Sequence, residues 1–402
     1  MTEATNIPFN RPSLAGGEHR YIDEALASGK LSGNGQFADR CAQWLERHTG
    51  ATKALITPSC TAALEMSGIL AELTPGDEVI VPDFAFVSTA NAFVLRGAVP
   101  VFVDIDPRTL NIDPAAIEQA ISERTRAIVV IHYGGVACNM DRILAIARRH
   151  ELTVIEDAAH AIEATYNGRP LGSLGDLATF SFHETKNVQC GEGGALLIND
   201  PQLVEHAEII QEKGTDRSQF FRGAVDKYTW RDTGSSYLLS EVASAFLWAQ
   251  LEHAPRITAE RRDVWQHYFE AFEPLEKDEL LSRPYVPAGC VHSGHLFYVL
   301  LPTVEQRDAV LGALHQRGVH AVFHYLPLHE SPGGRRYGRL PRPAPVSRDA
   351  SSRLLRLPLW AGLGLERTEA VVEAVYAAVR GQRSRAGRGI APPTSSPIRA
   401  PA

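Results

Sequence analysis

"RAIVVIHYGGVACNMDRILAIARRHELTVIEDAAHA" (Arg126–Ala161) holds two short runs rich in Val and Ile. Between them lies a stretch whose apolar residues recur at three and four positions. That pattern predicts a strand, a covering helix and a second strand. The alternation continues on both sides. "KALIT", "DEVIVP", "VPVFVDI", "ATFSFH" and "GALLIND" are further short runs, separated by helical stretches such as "SCTAALEMSGILAEL" and "STANAFVLRG". The predicted class is α/β, a mostly parallel sheet flanked by helices on both faces. In such sheets ligands bind beyond the carboxyl ends of the strands, so residues just after each run are the candidates for chemistry.

Beyond Leu251 the texture changes. "PRITAERRDVWQHYFEAFEPL" reads as a long amphipathic helix, "HLFYVLLP" and "VHAVFHYLPL" as strands, and "AVVEAVYAAVR" as a closing helix. The expected organisation is a large α/β domain over 1–250 and a smaller α+β domain over 251–380. The tail 381–402, rich in Pro, Ser, Arg and Gly, has little to bury and is expected to be disordered.

A formal net charge of -7 over 402 residues argues against a nucleic-acid binder, which shows a basic patch. No segment approaches the ~18 apolar residues that span a bilayer, and the start has neither a basic nor an apolar leader region. Five scattered cysteines form neither a disulfide framework nor a zinc pattern, so no metal is expected. These features describe a soluble cytoplasmic enzyme or binding protein.

Each strand end in turn offers a candidate. "TPSCTAAL" (Thr57–Leu64) opens a helix with Ser59, Cys60 and Thr61 at its cap, which serves either as a plain N-cap or as a phosphate cradle. Phe86, after the next run, reads by default as a core aromatic. Asp157 ends an apolar strand, as a helix cap or as the partner of a buried cation. His160 follows one turn later, in a place where a lone histidine is usually structural. Lys186, in "SFHETKNVQCGEGG" (Ser181–Gly194), is by default solvated; partly desolvated beside other cations, it has a lowered pKa and can form a Schiff base.

Together these residues resemble the sugar aminotransferases of fold-type I, the DegT/DnrJ/EryC1/StrS family. The motifs that carry the resemblance are "VIEDAAHA", "SFHETKN" with "GEGG", "VSTANA" and "HYLPLH". It spans roughly Ile7 to Arg380 and implies a seven-stranded sheet and a pyridoxal 5'-phosphate cofactor. Lys186 would bind the cofactor and shuttle a proton, and Asp157 would pair with the pyridine nitrogen. Phe86 would stack on the ring, with His160 close by. Thr61, Ala62 and Ser181 would hold the phosphate. Lys30, Tyr325 and His329 are implied as sugar-nucleotide contacts. Ser236 stands where many members carry an asparagine that reaches the neighbouring subunit's cofactor, and a homodimer with active sites at the subunit interface is implied.

Within the family, "SGKLSGNGQF", "RSQFFRG" and "VDKYTWRDTGSSYL" resemble the branch that makes dTDP-4-amino-4,6-dideoxygalactose. That branch uses L-glutamate as donor and a dTDP-linked keto sugar as acceptor. Another keto sugar, a cyclitol, or a non-catalytic binding role on the same scaffold are the alternatives.

Overall fold

Seven of the apolar runs assemble into one sheet in the computed structural model, which describes residues 6–386. They are β1 (Lys53–Thr57), β2 (Glu78–Pro82), β3 (Val99–Val103), β4 (Thr125–Ile131) and β5 (Thr153–Asp157), followed after two short strands by β8 (Leu177–Ser181) and β9 (Gly194–Ile198). The two short strands, β6 (Thr165–Tyr166) and β7 (Arg169–Pro170), pair with each other, and β6 also pairs with β10 (Cys290–Val291). The order is β1-β9-β8-β5-β4-β2-β3. The five strands from β8 to β3 run parallel, whereas β9 is antiparallel to both neighbours.

Both faces of this sheet are covered. Ile128 and Val130 belong to the core on one face, and Ala127, Val129 and Ile131 to the core on the other, as the two-residue period of a strand requires. A strand buried on both sides is apolar on both faces over most of its length, which is why the runs show no polar alternation. The helix joining β4 to β5, Met140–His150, starts where the Asn139 side chain accepts the Arg142 N–H. Asp141 lies in its first turn and Arg148, Arg149 and His150 in its last, which suits the helix dipole.

Strand register decides what meets at the sheet's edge. Ile131 lies beside Asp157, and Asp157 beside Thr179. Gly194 lies between Thr57 and Ser181.

A second core forms around β11 (Phe297–Leu300), β12 (Val322–Phe323) and β13 (Leu354–Leu357), with β13 central and the pairs antiparallel. Helices Ala254–Ala271, Val304–Gln316 and Gly364–Ala386 contribute to it. Ile7, fully buried, crosses to this core from the other end of the chain; its N–H donates to the Gly318 carbonyl and its carbonyl accepts from His320.

Two expectations need amending. The strand read in "VHAVFHYLPL" is confined to Val322–Phe323, because His324 and Tyr325 leave the sheet to pack on aromatic rings after β2. The helix Gly364–Ala386 runs on past Arg380 into the stretch read as disordered. The remainder of that tail, from 387 onward, lies outside the described residues. No helix among them is long and apolar enough to cross a membrane.

Candidate active site

The turn carrying Lys186 is held at both ends. The Phe182 N–H donates to the Gly193 carbonyl, Glu184 to Gly191, and Cys190 back to Phe182. Within the turn the Lys186 N–H donates to His183. Gly191 has φ +81°, which side-chain-bearing residues rarely adopt. Gly194 is required for another reason: a Cβ there would lie 2.4 Å from the Cys60 nitrogen, at the start of the helix Cys60–Leu70. The glycine cluster thus lets β9 pass directly beneath a helix N-terminus.

Lys186 lines a cavity of about 340 Å³ together with Asp157, His160, Thr61, Phe86, Ser181 and Tyr325. Seven of the eleven residues singled out from sequence therefore converge on one space. Phe86 is 52% exposed and belongs to this space, not to the core.

At the helix start, the Ser59 hydroxyl accepts the Ala62 N–H at 3.1 Å, and the Ser59 carbonyl accepts from Ala63. This leaves the Cys60 and Thr61 amides as the free donors of the first turn. Ala62 lies outside the cavity lining, and its amide serves the cap. The Thr61 hydroxyl donates to Ser88 at 2.9 Å.

Asp157 is 6% exposed. It accepts from the Thr89 hydroxyl at 2.8 Å and the Ala159 N–H at 3.2 Å. Burial nevertheless pushes its carboxyl above the usual range, against the pull of these bonds and of Lys186. Its neighbour Glu156 is fully buried but accepts from His132 at 2.9 Å and from the N–H groups of Gly172, Leu174 and Gly175. Burial pushes Glu156 up as well, yet His132 and the amides hold it below the usual range.

Burial lowers the Lys186 ammonium, and Arg356 and Arg261 add to the effect, while Cys60 and Asp157 oppose it. His160 stacks on His295 with centroids 4.1 Å apart, and burial holds both far below the ordinary histidine range. The His160 Nδ1 accepts the Gly134 N–H, and the His295 Nδ1 pairs with the Asn187 side-chain Oδ1 at 3.0 Å.

Several lining residues were missed in the sequence. His295, His324 and Arg356 come from the second core, where no strand-end pattern marks them. Arg261 is spent on the Gly294 and His295 carbonyls, and burial brings it down to about 9. Arg356, on β13, is different. One of its terminal nitrogens donates to the Phe323 carbonyl at 3.1 Å, but its Nε is buried without a hydrogen-bond partner among the described residues, and its guanidinium carbon lies 5.4 Å from the Phe9 and Tyr325 ring centres.

Three of the residues named from sequence lie elsewhere in this chain. Lys30 lines a second cavity with Asn34, Glu212 and Arg217. Ser236 is exposed and bridges to Glu212. His329 bonds to Asp83 and borders a shallow depression with Leu340 and Arg348.

The residues present fit pyridoxal phosphate: a buried acid with a raised pKa for the ring nitrogen, a desolvated lysine, and a helix N-terminus kept clear by Gly194.

Residues 12–376 match the DegT/DnrJ/EryC1/StrS aminotransferase family. The chain is 34% identical over 387 residues to GDP-perosamine synthase of Caulobacter vibrioides, covering 94% of this chain and 99% of that protein. It is 32% identical over 383 residues to the spore coat polysaccharide biosynthesis protein SpsC of Bacillus subtilis, covering 93% and 97%. Among solved structures, the aminotransferase TlmJ of Streptoalloteichus hindustanus superposes with a TM-score of 0.85 at 31% identity, covering 94% of this chain and all of that one. The chain belongs to this family and is a pyridoxal-phosphate-dependent sugar aminotransferase.

Proposed function

We propose that this aminotransferase moves the amino group of L-glutamate to carbon 4 of dTDP-4-keto-6-deoxyglucose. The products are dTDP-4-amino-4,6-dideoxygalactose and 2-oxoglutarate. The observation that carries an amino transfer at this site is the meeting of Lys186, Asp157, Phe86 and the Cys60–Thr61 amides in one cavity. The acceptor rests on the likeness of Ser28–Phe37 and Arg217–Leu238 to one branch of the family. A relative named for GDP-perosamine supports a nucleotide-linked sugar as the class.

Bound pyridoxal phosphate supplies an aldehyde and an electron-withdrawing ring. The roles of the chain's own groups follow from their surroundings. Lys186, its ammonium disfavoured by burial, is the group that binds the aldehyde and later carries the proton from the donor carbon. Asp157, short of partners for its charge, holds the ring nitrogen protonated. The Cys60 and Thr61 amides, with Ser181, hold the phosphate, and Phe86 covers the ring. Arg356, whose Nε has no partner among the described residues, stands ready for a carboxylate of the donor.

The enzyme acts as a homodimer with its sites at the interface. Phe221, Tyr228 and Trp230 are 68%, 52% and 83% exposed in the segment leading to Ser236, an apolar surface suited to a second copy.

The test is to supply the protein with glutamate and a panel of nucleotide keto sugars, then identify the product by NMR. Amination of the dTDP 4-keto sugar is expected, with a fall of at least ~10³-fold in Lys186→Ala. Turnover of a 3-keto sugar or a cyclitol alone would replace the acceptor. Retained cofactor absorbance with no 2-oxoglutarate formed would point to a binding protein.

A further inference from the structure

His329 does not reach the cavity, yet it is tied more firmly than any other side chain of "HYLPLH". Asp83, fully buried just after β2, accepts the His329 N–H at 2.9 Å and its ring Nδ1–H at 2.6 Å. The Asp83 carbonyl also accepts the Leu328 N–H at 2.9 Å. One residue therefore takes three bonds from the segment that follows β12, whose Leu328 packs into the core of the large sheet.

The residues beside this knot pair off in turn. His324 stacks on Phe84, centroids 3.9 Å apart and planes 20° from parallel. Tyr325 packs on Phe86 at 5.3 Å. The Tyr133 hydroxyl lies 3.3 Å from the His324 Nδ1. Two stretches, 83–86 and 324–329, thus close on each other across the cavity. The bonded pair lies at one end, and Phe86 and Tyr325, each about half exposed, lie at the open side.

We infer that Asp83 and His329 form a positioning pair. They fix His324–Leu328 against Phe84 and Phe86, and so set the seat of the sugar-nucleotide acceptor. This rests on the function proposed above. Glutamate is short, and its nitrogen must reach Lys186 deep in the cavity. A nucleotide sugar reaching the same depth must extend out across the open side, where Tyr325 and Phe86 lie. Displacing the knot therefore affects the acceptor and spares the donor. His329 acts through this packing and does not touch the sugar.

The two half-reactions separate these effects, with dTDP-4-keto-6-deoxyglucose as the acceptor. Asp83→Ala and His329→Ala are each expected to raise the acceptor KM about tenfold, with kcat within threefold and the double variant no worse than either single one. The glutamate half-reaction and the bound-cofactor absorbance stay within twofold. His329→Asn puts an N–H donor at the place of Nδ1 and lacks Nε2, so it is expected to stay near the wild type.

Direct contact between imidazole and sugar, and an end to this inference, follows if His329→Asn is as poor as His329→Ala while Asp83→Ala is normal. Equal losses in both half-reactions would reduce the pair to general support and overturn it too. A wild type that deaminates glutamate but leaves the sugar untouched overturns the acceptor reading and this one with it. Normal amination by all variants overturns the pair alone.

Discussion

Glu156 and Asp157 are adjacent carboxylates at the end of one strand, and they leave it on opposite faces. Glu156 meets four donors, and its pKa falls. Asp157 meets two, and its pKa rises. Both are buried almost completely. The difference is the number of hydrogen bonds on offer, and it separates a carboxylate that holds the fold from one that awaits a cation.

Replacing each acid by its amide tests this difference. Asp157→Asn removes the charge that the proposed function sets against the ring nitrogen. The rate of the glutamate half-reaction, read by stopped-flow absorbance, is expected to fall about 10²–10³-fold. The same change at Glu156 is expected to leave chemistry in the folded enzyme within a few-fold. If Glu156→Gln slowed the half-reaction as much as Asp157→Asn, the division between the two faces would be wrong.

Stability shows the reverse order. A glutamine at 156 cannot accept from four donors, so His132 or a backbone N–H is left unsatisfied in the core. A loss of about 2–4 kcal/mol is expected by denaturant melts.

Acid titration gives the sign of each effect. Glu156 has a folded pKa below its unfolded value, so its contribution is complete above the ordinary glutamate range and disappears as pH falls through the lowered value. The penalty of Glu156→Gln should therefore shrink below pH ~4.

The smallest effect expected is also the least intuitive. With its folded pKa raised, Asp157 loses its proton first in the unfolded chain, so the cofactor-free protein loses stability as pH rises through that window. Cofactor-free Asp157→Asn should melt up to a few degrees higher than wild type at pH 7, and equally at pH 3. An unchanged or lower melting temperature at pH 7 would mean that the site already satisfies the charge.

The distinction also explains what could be read in advance. Asp157, Lys186, Ser181 and Thr61 lie beyond apolar runs, and parallel-sheet chemistry directs attention there. Glu156 carries no such mark, since a glutamate inside a strand reads as exposed until Gly172, Leu174 and Gly175 turn their amides towards it. The opposite wall was harder still. His324, His295 and Arg356 come from short strands and loops after Leu251, and only tertiary packing brings them to the cavity, where Tyr325 alone was marked by its motif. His329 was singled out by motif, but its role as a partner of Asp83 depends on a residue 246 positions away. Ala62 shows the same limit on a smaller scale, because whether its amide is free depends on the Ser59 rotamer.

The antiparallel strand β9 has a consequence for how the enzyme matures. It closes last in sequence among the seven strands, between β1 and β8, and its first residue lies under the Cys60 amide. Until that long-range insertion is made, the turn bearing Lys186 lacks its bonds to Gly191 and Gly193, and nothing ties it to the helix start beside β1. Pairings this distant in the chain form slowly. Cofactor capture is therefore expected to be complete only once β9 is in place, because the lysine turn and the helix start are brought together through that strand.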